Sequence, residues 1–288
     1  MSVYDCTSDD TRDQGLDEAA TALSHGDLVV LPTDTVYGVA AGAFDPEAVA
    51  ALLAAKGRGR HQPPPVLVAS SATLPGLATD LPDVVHRLIE AFWPGPLTII
   101  CRAQPTLAWD LGDTGGTVAL RMPDEETALA LLARTGPLAV SSANRNGRPA
   151  ATTVLEAATA LGDSVSVYLD GGPTSGSVPS TIIDATGEVL RIVREGALSL
   201  AQLAEVAPEL TPTEDDETAA DAPDETAADA PDETAADAPD ETAADAPDET
   251  AADAPDETAA DAAVPESGSA AEPSAHPDLP GQGGADDR

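Results

Sequence analysis

Apolar positions between residues 16 and 200 fall into two alternating patterns. Apolar residues three or four positions apart are typical of amphipathic helices, whereas short apolar runs are typical of buried strands. The predicted helices are 16–24, 45–56, 81–91, 124–134 and 153–161. The predicted strands are 28–31, 66–69, 97–101, 117–121, 138–141, 165–169, 181–183 and 189–193. Alternating strands and helices predict an α/β fold, and the late strands without intervening helices predict a mixed sheet.

The end of the chain has a different pattern. Residues 213–288 hold 25 acidic residues and one arginine, so they contribute −24 of the net charge of −38. An eight-residue repeat, DETAADAP, runs through 216–263 and contains no Leu, Ile, Phe or Val. Without apolar residues it has no core to form, and a proline in each full copy interrupts any helix. We predict a flexible N-terminus (1–13), a globular domain (14–205) and a disordered acidic tail (213–288), which is either an interaction or solubility segment or an expansion of a tolerated terminus.

Composition excludes several functional classes. Cys6 and Cys101 are not part of a CxxC or Cys/His cluster, so we expect neither a zinc site nor a disulfide framework. No signal peptide or membrane-length apolar segment is visible, which predicts a cytoplasmic protein without a membrane partner. The excess of acidic residues in 1–212 argues against tight unspecific nucleic-acid binding. An acidic net charge is nevertheless compatible with a basic cleft within an acidic surface.

The usual nucleotide-binding and hydrolase signatures are missing from the sequence, namely the P-loop, the G-x-G-x-x-G fingerprint and the G-x-S-x-G elbow. Lys56 is the only lysine, in a chain with 12 arginines, and Arg58 follows it closely. A compact point charge suits a phosphate. The alternative is that these cations complement the C-terminal end of the preceding helix.

Three further polar clusters follow predicted strands. Residues 32–38 (PTDTVYG) and 141–144 (SSAN) carry hydroxyl and amide groups, and Arg121 ends a strand. Open α/β sheets bind ligands at strand ends, and an arginine so placed suits a carboxylate held by two hydrogen bonds. For the 32–38 loop considered alone, an ordinary polar turn is the more common explanation, and the side chains of 141–144 could instead cap the turn that follows them.

Taken together, the motifs resemble the YrdC family of threonylcarbamoyl-AMP synthases. The resemblance spans residues 16–200, and the motifs occur in one order: PTDTVYG at 32–38, Lys-x-Arg at 56–58, FWPGPLT at 92–98, ALRMP at 119–123, SSAN at 141–144, PSTIID at 179–184 and Arg-x-Gly at 194–196. The fold that it implies is a twisted mixed sheet flanked by helices around a concave cleft. The globular domain is then the catalytic domain.

The resemblance implies a reaction of L-threonine, bicarbonate and ATP that gives L-threonylcarbamoyl-AMP and pyrophosphate. Other proteins would then transfer the threonylcarbamoyl group to tRNA, and weak RNA binding by this chain is compatible with that role. Mg²⁺ would arrive with ATP, since no carboxylate cluster is visible that would hold a metal alone. The implied ATP-binding residues are Lys56, Arg58, Thr117, Ser142, Asn144 and Arg194, of which Lys56 and Arg58 are also the implied catalytic residues. The implied threonine-binding residues are Thr33, Arg121 and Ser180.

The sequence departs from the family pattern in one loop. Family members often have a proline directly after Lys-x-Arg, whereas this chain has Gly59 and a longer loop over 59–65. Two alternative functions share the implied fold: a non-enzymatic RNA-binding or ribosome-maturation factor, and a carbamoyl-adenylating domain of hydrogenase maturation. RNA binding without ATP consumption would favour the first, and pyrophosphate release independent of threonine would favour the second.

Overall fold

A computed structural model describes residues 1–210, all of which belong to one compact unit. The predicted acidic tail and its repeats lie outside the described residues. Within 1–210, no helix is both long enough and apolar enough to cross a membrane.

Seven helices and eleven strands make up the described part of the chain. The helices are α1 (Asp9–Ser24), α2 (Pro46–Lys56), α3 (Leu74–Leu77), α4 (Asp83–Phe92), α5 (Glu126–Thr135), α6 (Val154–Leu161) and α7 (Leu200–Val206). The strands are β1 (Ser2–Asp5), β2 (Val29–Leu31), β3 (Gly38–Gly42), β4 (Val66–Leu67), β5 (Ala78–Thr79), β6 (Leu97–Ala103), β7 (Thr117–Arg121), β8 (Leu138–Ser142), β9 (Val167–Asp170), β10 (Thr181–Asp184) and β11 (Arg191–Arg194).

All the strands join one sheet in the order β1-β9-β2-β3-β8-β4-β7-β6-β10-β11, with β5 paired to β6. Parallel pairs such as β4/β7 and β6/β10 occur together with antiparallel pairs such as β3/β8 and β6/β7. The prediction of a mixed α/β fold is therefore confirmed. Because β3, β8, β4, β7, β6 and β10 are successive neighbours, the polar motifs at their ends are brought together from distant parts of the sequence.

Helix α2 shows how local sequence places one of these motifs. The Asp45 side chain accepts hydrogen bonds from the amides of Glu47 and Ala48, both at 3.0 Å, and caps the helix start. Gly57 ends the helix at φ 69°, a left-handed conformation that favours glycine. The helix buries Leu52, Leu53 and its last residue, Lys56, so the lysine side chain does not reach solvent.

The predicted flexible N-terminus is wrong. Residues 2–5 form β1, which pairs in parallel with β9, and α1 begins at Asp9 rather than at residue 16. The first turns of α1 are polar because they are exposed, so the hydrophobic pattern begins only at Leu16.

Strand β3 was also missed in the sequence. Its residues are Gly and Ala around a single Val, which have little strand preference. A Cβ at Gly38 would lie 2.6 Å from Val140 Cγ1 of the adjacent strand, so glycine is required for the β3/β8 contact.

Candidate functional site

A cleft of about 360 Å³ lies over the central strands, and its lining includes residues from within β6, β7, β8 and β10. Seven of the nine predicted site residues line it: Thr33, Arg58, Thr117, Arg121, Ser142, Ser180 and Arg194. Among the described lining residues there are three arginines and no Asp or Glu. The cleft is therefore a cationic surface in a domain of net negative charge, which favours an anionic ligand.

Arg121 is held by three hydrogen bonds at the end of β7. Its Nε donates to the Gly95 carbonyl oxygen at 3.0 Å, Nη1 to Thr35 Oγ1 at 3.1 Å and Nη2 to Asp34 Oδ1 at 2.6 Å. A guanidinium has five N–H groups, so one hydrogen remains on each terminal nitrogen. An arginine with N–H groups remaining on both terminal nitrogens can bind a carboxylate.

The Arg121–Asp34 ion pair is largely buried, with side chains 8% and 12% exposed. Burial lowers the pKa of Arg121, and the charge and hydrogen bond of Asp34 oppose that shift. Breaking one partner of such a pair leaves the other charge buried and uncompensated, which typically costs about 3–5 kcal/mol.

The loop that carries Asp34 is fixed by its own hydroxyl groups. Thr33 Oγ1 donates to the Val36 carbonyl oxygen at 2.6 Å and lies 3.0 Å from Thr35 Oγ1. The Thr35 amide in turn donates to Thr33 Oγ1 at 3.2 Å. These local bonds keep Thr33 and Thr35 buried at the cleft wall.

Ser180 and Arg194 lie together on the opposite wall, formed by β10 and β11. The Ser180 hydroxyl lies 2.8 Å from Thr98 Oγ1, and Arg194 Nη2 donates to the Ser180 carbonyl oxygen at 2.9 Å. A Cβ at Gly196 would be 2.4 Å from the Pro179 carbonyl oxygen. The glycine of the Arg-x-Gly motif therefore allows β11 to approach the PSTIID segment and brings Arg194 to Ser180.

Lys56, one of the implied ATP-binding residues, is buried and does not line the cleft. It is 1% exposed, and its Nζ donates to the Asn144 carbonyl oxygen at 2.9 Å, to Asn144 Oδ1 at 2.8 Å and to the Ser142 carbonyl oxygen. The physical reason is that α2 ends beneath the 141–144 loop. Lys56 thus holds that loop in place.

Hydrogen bonds within the 141–144 loop connect Lys56 to the cleft lining. Ser142 Oγ donates to Asn144 Oδ1 at 2.6 Å, and Asn144 itself is buried and does not line the cleft. Arg58, two residues after Lys56, reaches the lining and donates from Nη1 to Ser141 Oγ at 3.1 Å. The Lys-x-Arg and SSAN motifs therefore form one hydrogen-bonded cluster.

The loop over 59–65, in which the sequence departs from the family pattern, is held by hydrogen bonds of its own. Arg60 forms two hydrogen bonds with the Asp110 carboxylate, at 2.8 and 3.1 Å, and the Asp113 amide donates to the Arg60 carbonyl oxygen at 2.8 Å. Arg60 therefore ties this loop to the 104–116 segment and does not line the cleft.

Asp34 and Thr98 are contacts of the site that were not predicted. Both lie within quoted motifs, PTDTVYG and FWPGPLT, so the motifs located them without indicating a role. In the described residues, no group of three or more His, Cys, Asp or Glu side chains is arranged to hold a metal ion.

Known proteins match this chain over the part that contains the cleft. The model of the Sua5/YciO/YrdC family, described as telomere recombination, matches residues 21–196. A Mycobacterium leprae protein provisionally named a threonylcarbamoyl-AMP synthase is 53% identical over 204 residues, which are 71% of this chain and 93% of that protein. The threonylcarbamoyl-AMP synthase of Bacillus subtilis is 36% identical over 196 residues, which are 67% of this chain and 56% of that protein.

Solved structures agree with these matches. Pyrococcus abyssi Sua5 complexed with L-threonine superposes with a TM-score of 0.70 at 33% identity, covering 74% of this chain and 62% of that chain. Escherichia coli YciO superposes with a TM-score of 0.64 at 21% identity, which shows a shared fold alone. The alignments thus span less than two thirds of the P. abyssi and B. subtilis proteins. Since the family model matches more than half of this chain and the predicted fold is confirmed, the chain belongs to the Sua5/YciO/YrdC family.

Proposed function

We propose that this chain is a threonylcarbamoyl-AMP synthase, which joins L-threonine, bicarbonate and ATP and releases pyrophosphate. The single observation that carries the proposal is the cleft itself, which gathers seven of the nine predicted substrate-binding residues and presents three arginines. The names of the relatives in M. leprae and B. subtilis, and the L-threonine complex of P. abyssi Sua5, support the same reaction.

The threonine subsite is proposed at Arg121, Thr33 and Ser180. The two remaining N–H groups of Arg121 suit the α-carboxylate of the amino acid, because Arg–carboxylate pairs are commonly bidentate. Thr33 and Ser180 are buried hydroxyl residues that both belong to the cleft lining, and they would contact the polar groups of threonine.

The nucleotide subsite is proposed at Arg58, Ser142 and Arg194. Thr117, which also lines the cleft, is proposed to belong to it. Lys56 and Asn144 would support this subsite without lining the cleft, because each is hydrogen-bonded to Ser142. Any direct contact of Lys56 with a phosphate requires exchange of one of its bonds to the 142–144 loop. Mg²⁺ would accompany ATP as part of the substrate.

The proposed chemistry has two bond-making steps. The amino group of threonine and bicarbonate form a carbamate with loss of water. A carbamate oxygen then attacks the α-phosphorus of ATP, forming a new P–O bond as the bond to pyrophosphate breaks. Both reactants are anionic, so fixed cations that offset their repulsion and stabilise the leaving group lower the barrier. Alignment of the two reactants is worth several kcal/mol as well, about 7–11 kcal/mol in the best intramolecular cases.

The test is steady-state pyrophosphate release with each substrate omitted in turn. We expect release to require L-threonine, bicarbonate and ATP together. Release without threonine would favour the hydrogenase-maturation type of reaction, and RNA binding with no ATP consumption would favour an RNA-binding factor. Transfer of the product to tRNA by other proteins is proposed as the next step.

Removal of residues 213–288 is expected to leave catalysis intact. The repeats hold no motif residue of the proposed site and no Leu, Ile, Phe or Val. We expect kcat/KM to stay within about tenfold of the full chain, equivalent to roughly 1.4 kcal/mol. A larger loss in the truncated chain, measured by the same pyrophosphate assay, would give the tail a part in the reaction.

A further inference from the structure

One charged group beside the cleft has no role in the proposed reaction, namely the carboxylate of Asp34. Its Oδ1 accepts from Arg121 Nη2 at 2.6 Å, while its Oδ2 is buried and has no hydrogen-bond partner among residues 1–210. A buried carboxylate oxygen without a partner is costly. Its retention at this position needs a reason beyond the stability of the loop, which Thr33 already fixes through its own hydrogen bonds.

Asp34 lies next to the site but not on the cleft lining. Arg121, Thr33 and Thr35 line the cleft, whereas Asp34 does not. The Asp34 side chain is 12% exposed and contacts the Arg121 side chain, which is 8% exposed and does line the cleft. Any effect of Asp34 on a ligand is therefore transmitted through the guanidinium.

The contacts of Arg121 indicate what that effect is. Gly95 and Thr35 offer neutral acceptors to Nε and Nη1, and Asp34 supplies the only charged acceptor in the described residues. Charge-assisted hydrogen bonds are roughly twice as strong as neutral ones. Asp34 therefore fixes the rotation of the guanidinium plane, and with it the direction of the two N–H groups that remain for a ligand.

We propose that Asp34 is a positioning residue for the amino-acid substrate, which aims Arg121 at the α-carboxylate and takes no part in binding the nucleotide. The inference rests on the proposed function, because it assumes that Arg121 receives the carboxylate of threonine. It assigns Asp34 to one subsite only. Asp34 orients Arg121 in the threonine subsite, whereas the hydrogen-bonded residues Arg58, Ser141 and Ser142 of the nucleotide subsite do not depend on it.

The test is calorimetric titration of the full chain with L-threonine and, separately, with ATP. Asp34→Asn keeps the size and an acceptor oxygen but removes the charge, and Asp34→Ala removes both. We expect the Kd for threonine to rise about tenfold in Asp34→Asn and further in Asp34→Ala, since one misdirected hydrogen bond between charged groups is worth about tenfold or more in affinity. The Kd for ATP should change less than threefold in either variant.

A matched control is Asp184→Asn. Asp184 Oδ1 accepts hydrogen bonds within its own turn, from the Thr186 amide at 2.8 Å and Thr186 Oγ1 at 2.7 Å, and it lies outside the cleft lining. This variant should bind both ligands as the wild type does. Titrations are run below the melting temperature of every variant, so that lower stability does not register as weaker binding.

The outcomes separate the two claims. Unchanged threonine affinity in both Asp34 variants, or equal weakening of threonine and ATP, would overturn the positioning role while the wild type still binds threonine. A wild-type chain that binds no threonine would overturn the proposed function and the positioning role together.

Discussion

Replacement of Lys56 by alanine is expected to lower both the stability of the domain and its activity. Truncation removes the hydrogen bonds of Nζ to the 142–144 loop together with a fully buried side chain, and large-to-small changes at buried positions cost about 2–5 kcal/mol. Loss of about 3 kcal/mol or more corresponds to a fall in Tm of roughly 6–12 °C for a domain of this size. Because the same loop carries Ser142, we also expect kcat/KM to fall by about 100-fold or more, similar to loss of one transition-state donor.

Leu52→Ala is the matched control for Lys56→Ala. Leu52 lies on the same helix, α2, is fully buried and does not line the cleft. A buried Leu→Ala change costs about 2–5 kcal/mol, so the control loses similar stability while the hydrogen bonds of Lys56 to the loop remain. Below its transition it should keep wild-type kcat/KM.

Lys56→Arg separates charge from shape. The guanidinium is larger than the ammonium in a position that is 1% exposed, and overpacking typically costs about 1–3 kcal/mol. We expect kcat/KM to fall on the order of a hundredfold, since a displacement of ~1 Å is enough for such a loss. Wild-type activity in folded Lys56→Arg would remove Lys56 from the nucleotide subsite.

Replacement of Arg121 by alanine is expected to raise the KM for threonine far more than the KM for ATP. A hydrogen bond to a charged group contributes about 1.5–3 kcal/mol, so two such bonds to the α-carboxylate correspond to a change of about 100-fold or more. The measurement is pyrophosphate release with threonine and ATP varied in separate series. Equal effects on the two substrates would indicate a phosphate-binding or purely structural role.

The stability of the Arg121 variant needs its own control, because Arg121→Ala leaves the Asp34 carboxylate buried and uncompensated. The double variant Asp34→Asn with Arg121→Gln removes both charges and keeps a polar, hydrogen-bonding side chain at each position. We expect it to melt at a higher temperature than Arg121→Ala and to remain as weak in threonine binding. Recovery of threonine binding in the double variant would contradict the carboxylate role of Arg121.

Local features of the fold could be predicted from the sequence because their causes are local. Helix α2 was predicted at its observed bounds from Asp45, Pro46 and Gly57, which cap its two ends. Strand β7 was also predicted at its observed bounds, since its short run is bounded by Gly116 and Met122-Pro123. By contrast, β1 is stabilised by its pairing with β9, more than 150 residues away, and its own polar sequence gives no sign of that partner.

The composition of the site was largely predictable, but its internal connections were not. Family motifs placed seven residues on the cleft lining, and they also identified Lys56, whose burial was missed. That burial depends on a loop 86 residues further along the chain. The Arg121–Asp34 pair likewise joins positions 87 apart. Such contacts depend on the order of strands in the sheet, which the hydrophobic pattern does not specify.

The most direct test of the proposed reaction is the identity of its product. The full chain is incubated with ATP, ¹⁴C-bicarbonate and ³H-L-threonine, and the nucleotide fraction is separated and counted. We predict a new adenylate that carries both labels in equal molar amounts, formed in step with one pyrophosphate. An adenylate that contains the bicarbonate carbon without threonine, or pyrophosphate release with no doubly labelled product, would contradict the account.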